Sequence, residues 1–174
     1  MNKYIGAVCL LAMASCGNPA KDNAKVTDSV AVSAPVTSTT ISFKEPEIQG
    51  IYDNYILLKD ILVKGDEQGA REAAKVLSGK LSLFKGCENT ALIADKINAA
   101  KSLKDQRKEF TYLSSDVIAL FKHAGINEGT IYVQHCPMAN NGDGGDWLSS
   151  QKEIRNPYYG DEMLECGAVI EEIN

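Results

Sequence analysis

Apolar side chains return at helical spacing in successive stretches between Ile48 and Phe121, and this rhythm limits the fold more than any other feature. Ile48, Ile51, Tyr52, Tyr55, Leu58 and Leu62 form one stripe, which Gly65 ends, and Asp66 follows as an N-cap. Ala70, Ala73, Ala74, Leu77, Leu81 and Phe84 form a second. Its alanines let a neighbouring helix come close, and Gly86 closes it. A shorter helix is expected over Thr90 to Ala100, with Ile93, Ile97 and Ala100 inward. Ser102 and Asp105 then make a capping box with Asp in place of the usual Glu. The fourth stripe is Phe110, Leu113, Val117, Leu120 and Phe121. Lys122 and His123 lie in its last turn, where positive charge suits the helix dipole, and Gly125 is its C′ residue. Short links favour antiparallel neighbours, so the expectation is a mainly α fold, an antiparallel four-helix bundle.

After Gly125 the helical period stops. Glycines, Pro137, Pro157 and aromatics punctuate residues 126–174. Short β-strands are expected at Ile131 to Gln134 and Ala168 to Ile173, in an otherwise irregular segment that docks on the helices. Irregular segments held by a rigid scaffold are where binding sites concentrate.

The N-terminus has a different purpose. Lys3 supplies a positive charge, Tyr4 to Ala14 is apolar but too short to span a bilayer, and small residues precede Cys16. Met13-Ala14-Ser15-Cys16 resembles the lipobox of bacterial lipoproteins, with Met13 where Leu is usual. The resemblance implies cleavage of a 1–15 signal peptide and acylation of Cys16. Several acyl chains hold a protein stably on a lipid membrane. The expected location is the cell envelope, facing the periplasm and carried by the outer membrane, since no acidic run follows Cys16. Residues 16–46, rich in Ser, Thr, Ala, Val and Pro from Gly17 on, read as a flexible tether. An edge strand at Thr39 to Phe43 is the alternative there. The folded domain is expected over 47–174.

The net charge of −5 argues against non-specific nucleic-acid binding. Catalytic signals are sparse: two histidines, no GxSxG elbow, no HExxH, no phosphate-cradling glycine loop and no CxxC. A binder is expected rather than an enzyme. Of five cysteines, Cys9 leaves with the signal and Cys16 takes the lipid. Cys87, between two helices, reads as a lone buried or half-buried thiol.

Cys136 and Cys166 remain. Cys136 and Met138 are two apart, on one side of an extended backbone. Met163 and Cys166 are three apart, on one face of a helix. Brought together they make a soft sulfur set, with His135 alongside as a nitrogen donor. Thiolate and thioether ligands select Cu(I) or another soft heavy metal, whereas Mg²⁺ and Ca²⁺ require oxygen. The same two cysteines, in an oxidising compartment, equally suit a disulfide with the methionines as core filler. Both readings hold if oxidation toggles the site. Trp147 is expected to anchor the C-terminal segment, and Arg155 and Pro157 to shape it.

Four stretches carry a family resemblance: Tyr132-Val133-Gln134-His135-Cys136-Pro137-Met138-Ala139; Trp147-Leu148-Ser149; Glu153-Ile154-Arg155-Asn156-Pro157-Tyr158-Tyr159-Gly160; and Met163-Leu164-Glu165-Cys166-Gly167. Together with the helices, over residues 47 to 173, they resemble the bacterial domain of unknown function 3347 (DUF3347). That family occurs as small lipoproteins in Bacteroidetes and joined to the periplasmic adaptor subunits of copper and heavy-metal efflux pumps. The resemblance implies metal handling with a metal-efflux adaptor as partner. It carries Cys136, Met138, Met163 and Cys166 over as sulfur positions and leaves His135 without a fixed counterpart.

Overall fold

The computed structural model describes residues 40–174; the expected signal peptide, Cys16 and the expected tether as far as residue 39 lie outside the described residues. Four long helices come first: α1 (Pro46–Lys64), α2 (Glu67–Ser82), α3 (Glu88–Ala99) and α4 (Leu103–Phe121). A two-residue strand β1 (Ser42–Phe43) precedes them. β2 (Ile126–Glu128), β3 (Ile131–Cys136), β4 (Gly145–Ser149) and β5 (Ala168–Ile173) follow. The chain is therefore mainly helical with short antiparallel strands at its C-terminal end. Among the described residues no helix is long and apolar enough to cross a membrane.

The helix ends follow from local chemistry. Gly65 takes a left-handed conformation at φ 70°. This lets Gly65 and Asp66 donate to the carbonyls of Leu62 and Ile61, closing α1 in a Schellman motif. The Asp66 carboxylate accepts from Gly69 N at 2.9 Å and starts α2. Ser102 Oγ does the same for α4, accepting from Asp105 N at 3.1 Å. Arg71 donates to the carbonyls of Asn98 and Ala100, so a cation covers the C-terminus of α3.

Several helix details differ from the sequence reading. α2 stops at Ser82, and Leu83 and Phe84 lie in the turn beyond it, with Leu83 exposed. α3 buries Ala91, Ala94 and Ile97, whereas Ile93 is half-buried and Ala100 has already left the helix. Its small residues let α2 and α4 come close, so volume rather than hydropathy chose the inward face. Gly125 is not a left-handed C′ residue. α4 ends at Phe121 with Lys122 still right-handed, and the backbone turns by short bonds such as Ala124 N to Phe121 O.

Residues 41–43, given to the tether by composition, belong to the core. Ile41 and Phe43 are buried, and the Phe43 ring packs at 5.3 Å from Tyr52 and 5.2 Å from Phe121. The Gln49 side chain fixes this strand by accepting from Phe43 N and donating to the Ile41 carbonyl, both at 3.2 Å. The edge-strand alternative was the better reading of that stretch, because β1 pairs antiparallel with β2.

The second sheet has the order β4-β3-β5, antiparallel throughout. It meets the helices at Tyr55. That phenol is fully buried, shares a 2.7 Å hydrogen bond with Ser114 on α4, and accepts from Leu148 N on β4 at 3.1 Å. The Tyr55 ring stacks on Phe110 at 5.5 Å, Phe110 meets Tyr158 at 5.9 Å, and Tyr158 meets Trp147 edge-on at 6.0 Å. One run of aromatic rings thus ties α1, α4, the C-terminal segment and β4 into one core.

Candidate functional site: a convergent cysteine pair

Side chains alternate along β3, so Gln134 and Cys136 share one face while Val133 and His135 share the other. Trp147 lies in register with Gln134, and Gly145 with Cys136. The segment between β4 and β5, residues 150–167, folds over the Gln134 side. Gln134 is completely buried, and its Nε2 donates to the carbonyls of Gln151, Lys152 and Glu153 at 2.8, 3.3 and 3.1 Å. Asn156, also completely buried, organises the far end. Its backbone donates to Leu164 O at 2.8 Å, its Nδ2 donates to Cys166 O at 2.9 Å, and its Oδ1 accepts from Tyr158 N at 2.8 Å. Tyr158 Oη then donates to Asp146 O at 2.7 Å. These bonds satisfy backbone groups that a buried loop would otherwise leave unpaired.

Their product is a close approach of two sulfurs. Cys136 Sγ and Cys166 Sγ stand 2.6 Å apart. Gly167 makes room for this. At φ 147° a side chain is strained, and a Cβ there would lie 2.8 Å from the His135 carbonyl oxygen and 3.0 Å from the Trp147 ring. The pair is asymmetric: Cys136 is fully buried and Cys166 only partly. The neighbouring Cys136 thiol and, to a lesser degree, desolvation push the Cys166 thiol above its ordinary range, against a smaller opposite pull from the Met138 backbone amide that bonds the same sulfur.

The remaining candidates divide. Met138 and Met163 sit on the two segments that carry the cysteines, and both are exposed, at 53% and 37%, so neither is core filler. The Tyr159 hydroxyl holds the Met138 carbonyl at 2.5 Å, and Cys166 N donates to Met163 O at 3.0 Å. His135 is not brought to the sulfurs. It leaves the opposite face of β3, where its Nδ1 meets Asp146 Oδ1 at 2.6 Å across the strand pair. Cys87 is buried at the start of α3, as expected. Trp147 is wholly buried, the anchor the sequence suggested, whereas the cation–π contact in the sheet is Lys152 over Tyr132. Among the described residues Arg155 pairs only with the exposed Glu153, at 3.6 Å.

Sequence reasoning missed Asn156, Gln134 and Asp146. Asn156 had a usable signal, since Asn before Pro marks a turn. Asp146 and His135 become partners only through strand register, which no local pattern discloses.

Chemically, two thiols this close have two outlets. Oxidised, they form one S–S bond of about 2.05 Å. Reduced, they offer two sulfur donors to a soft cation, and the donor set is otherwise thioether. Among the described residues no three side chains drawn from His, Cys, Asp and Glu converge, so a three-ligand zinc-type seat is not formed here. With metal–sulfur bonds near 2.3 Å, two thiolates spanning an ion stand about 3.7–4.6 Å apart, so a cation enters only if Cys166 swings outward by more than about 1 Å.

No curated protein and no solved structure matches the chain. A family model does match, over residues 51–129, from α1 to the turn before β3. The motifs of the C-terminal segment, on which the resemblance chiefly rested, lie outside that match. The family whose model matches residues 51–129 is described as protein of unknown function (DUF3347).

Proposed function

We propose that this chain is a lipoprotein of the bacterial cell envelope, acylated at Cys16 and facing the periplasm, that binds copper(I) or another soft heavy metal. In this reading it buffers the ion or carries it toward an efflux adaptor, and it is a binder rather than an enzyme. The observation that supports it best is the convergence of Cys136 and Cys166, with the exposed thioethers of Met138 and Met163 on the same two segments. His135 is not part of this donor set, because Asp146 holds it on the other face of β3. The scaffold we propose is an up-and-down antiparallel bundle. Three contacts support it: Arg71 at the end of α3, Thr90 bonded to Asp116 near the end of α4, and the start of α1 lining one groove with the end of α2.

A second reading has a specific observation in its favour. A sulfur separation of 2.6 Å is nearer to a disulfide than to a metal-bridged pair. In that reading Cys136–Cys166 is a structural bond, and the domain serves to bind another envelope protein.

Titration separates the two. Reduced mature chain carrying Cys16→Ser, so that lipid and the extra thiol are absent, is titrated with Cu(I) against a competing chelator. Stoichiometric binding that Cys136→Ser abolishes supports the metal reading. Equal binding by the two proteins sinks it.

A further inference from the structure

The contacts that hold the Cys166 segment do not depend on a bond between the sulfurs. Asn156 fixes the Cys166 carbonyl, Gln134 fixes residues 151–153, and Tyr158 fixes the segment to β4. β5 begins two residues later and pairs with β3, with Ala168 opposite His135. The two sulfurs are therefore presented to each other by the fold whether or not they are joined. The pair is also unequal, Cys136 being fully buried and Cys166 only half-buried.

We propose that Cys136 and Cys166 are a reversible thiol–disulfide exchange pair, with Cys166 the entry sulfur and Cys136 the resolving one, and that oxidation closes the soft-metal seat. The metal half of this inference rests on the reading under Proposed function. The co-reactant is a small or protein disulfide. The Cys166 thiolate attacks one sulfur of that disulfide, whose S–S bond breaks, releasing one thiolate and leaving a mixed disulfide on Cys166. Cys136 then attacks the Cys166 sulfur, its proton leaving with the second departing thiolate. Two protein thiols and one external disulfide become one protein disulfide and two external thiols. Two electrons pass from the protein to the co-reactant, and the reverse sequence restores both donors.

The geometry assigns the roles, so the variants must differ. The mature chain with Cys16→Ser is equilibrated with oxidised and reduced glutathione, trapped with an alkylating agent and mapped by peptide mass, so that Cys87 is read separately. The expected result is a native product lighter by two hydrogens, joined at 136 and 166, which reduced glutathione reopens without denaturant. Cys136→Ser should stall as a glutathione adduct on Cys166, while Cys166→Ser should gain none at Cys136. Equal adducts in both variants would overturn the assignment of roles, and thiols that never join under excess oxidised glutathione, or a bond that opens only on denaturation, would overturn exchange altogether. The same samples are titrated with Cu(I). Binding by the reduced form and loss of binding by the oxidised form supports the gate, and equal binding by both overturns it. Failure of the reduced form to bind, with exchange intact, removes the metal reading and leaves the exchange pair standing.

Discussion

The Tyr55 hydroxyl on α1 accepts a 3.1 Å hydrogen bond from Leu148 N on β4, 93 residues away in sequence. The same oxygen shares a 2.7 Å bond with Ser114 on α4, so one buried atom joins two helices and the sheet. Tyr55→Phe keeps the ring stacked on Phe110 and removes only that oxygen, leaving the Leu148 amide and the Ser114 hydroxyl buried without it. A loss of about 1–3 kcal/mol is expected, measured as a lower midpoint in urea with an unchanged slope. A change below a few tenths of a kcal/mol would show that the junction is held by packing alone.

Alkaline stability follows from the same group and two others. Burial raises the phenol pKa values of Tyr52, Tyr55 and Tyr158 in the folded protein. Between the unfolded value near 10 and the higher folded values, the unfolded chain releases protons that the folded chain keeps. Folding stability is therefore full below about pH 10 and falls as pH rises beyond it, by up to about 1.4 kcal/mol per pH unit for each such tyrosine. Urea melts of the oxidised form from pH 8 to 11.5 test this, and Tyr55→Phe should have the shallower decline. Stability that stays flat to pH 11.5 contradicts it.

Asn156→Ala strips the bonds to Tyr158 N and Cys166 O while leaving the backbone contacts in place. A cost of about 2–4 kcal/mol is expected, since buried groups lose their partners. The distinctive readout is at the sulfurs: alkylation of Cys136, which is fully buried, should accelerate in the reduced variant more than alkylation of Cys87 does. Parallel acceleration at both would mean general loosening instead.

Joining Cys136 to Cys166 closes a loop across a sequence separation of 30. Chain-entropy arguments give about 3–4 kcal/mol for such a loop. The oxidised protein should melt at correspondingly higher denaturant than the reduced protein, while both give the same far-ultraviolet dichroism. A reduced form without native dichroism would mean that the hydrogen bonds around Asn156 and Gln134 do not suffice to hold the segment.

The helical half was legible because each of its rules is local. Ile51, Tyr55, Leu58 and Leu62 repeat at helical spacing and are all fully buried. Asp66 and Ser102 cap within three residues of themselves. Where volume decided instead, as with Ala94 on α3, hydropathy alone misled. At the candidate site the residue types were legible and the geometry was not. Cys136 and Cys166 stood out as chemistry, yet their approach depends on Asn156, on Gly167 and on a β5 register that shifts at Val133 and Gln134. His135 seemed adjacent because it is adjacent in sequence, whereas strand alternation sends it to Asp146.

The Tyr55 junction also has a genealogical side. The kinship found for this chain is a kinship of residues 51–129, and those residues contain Cys87 but neither sulfur of the pair. A relative could inherit the helices and have nothing of the sulfur chemistry. Tyr55 lies within the shared part, yet one of its two partners, Leu148, lies outside it. Within the matched stretch, Tyr55 thus spends its hydroxyl on a strand that lies beyond it.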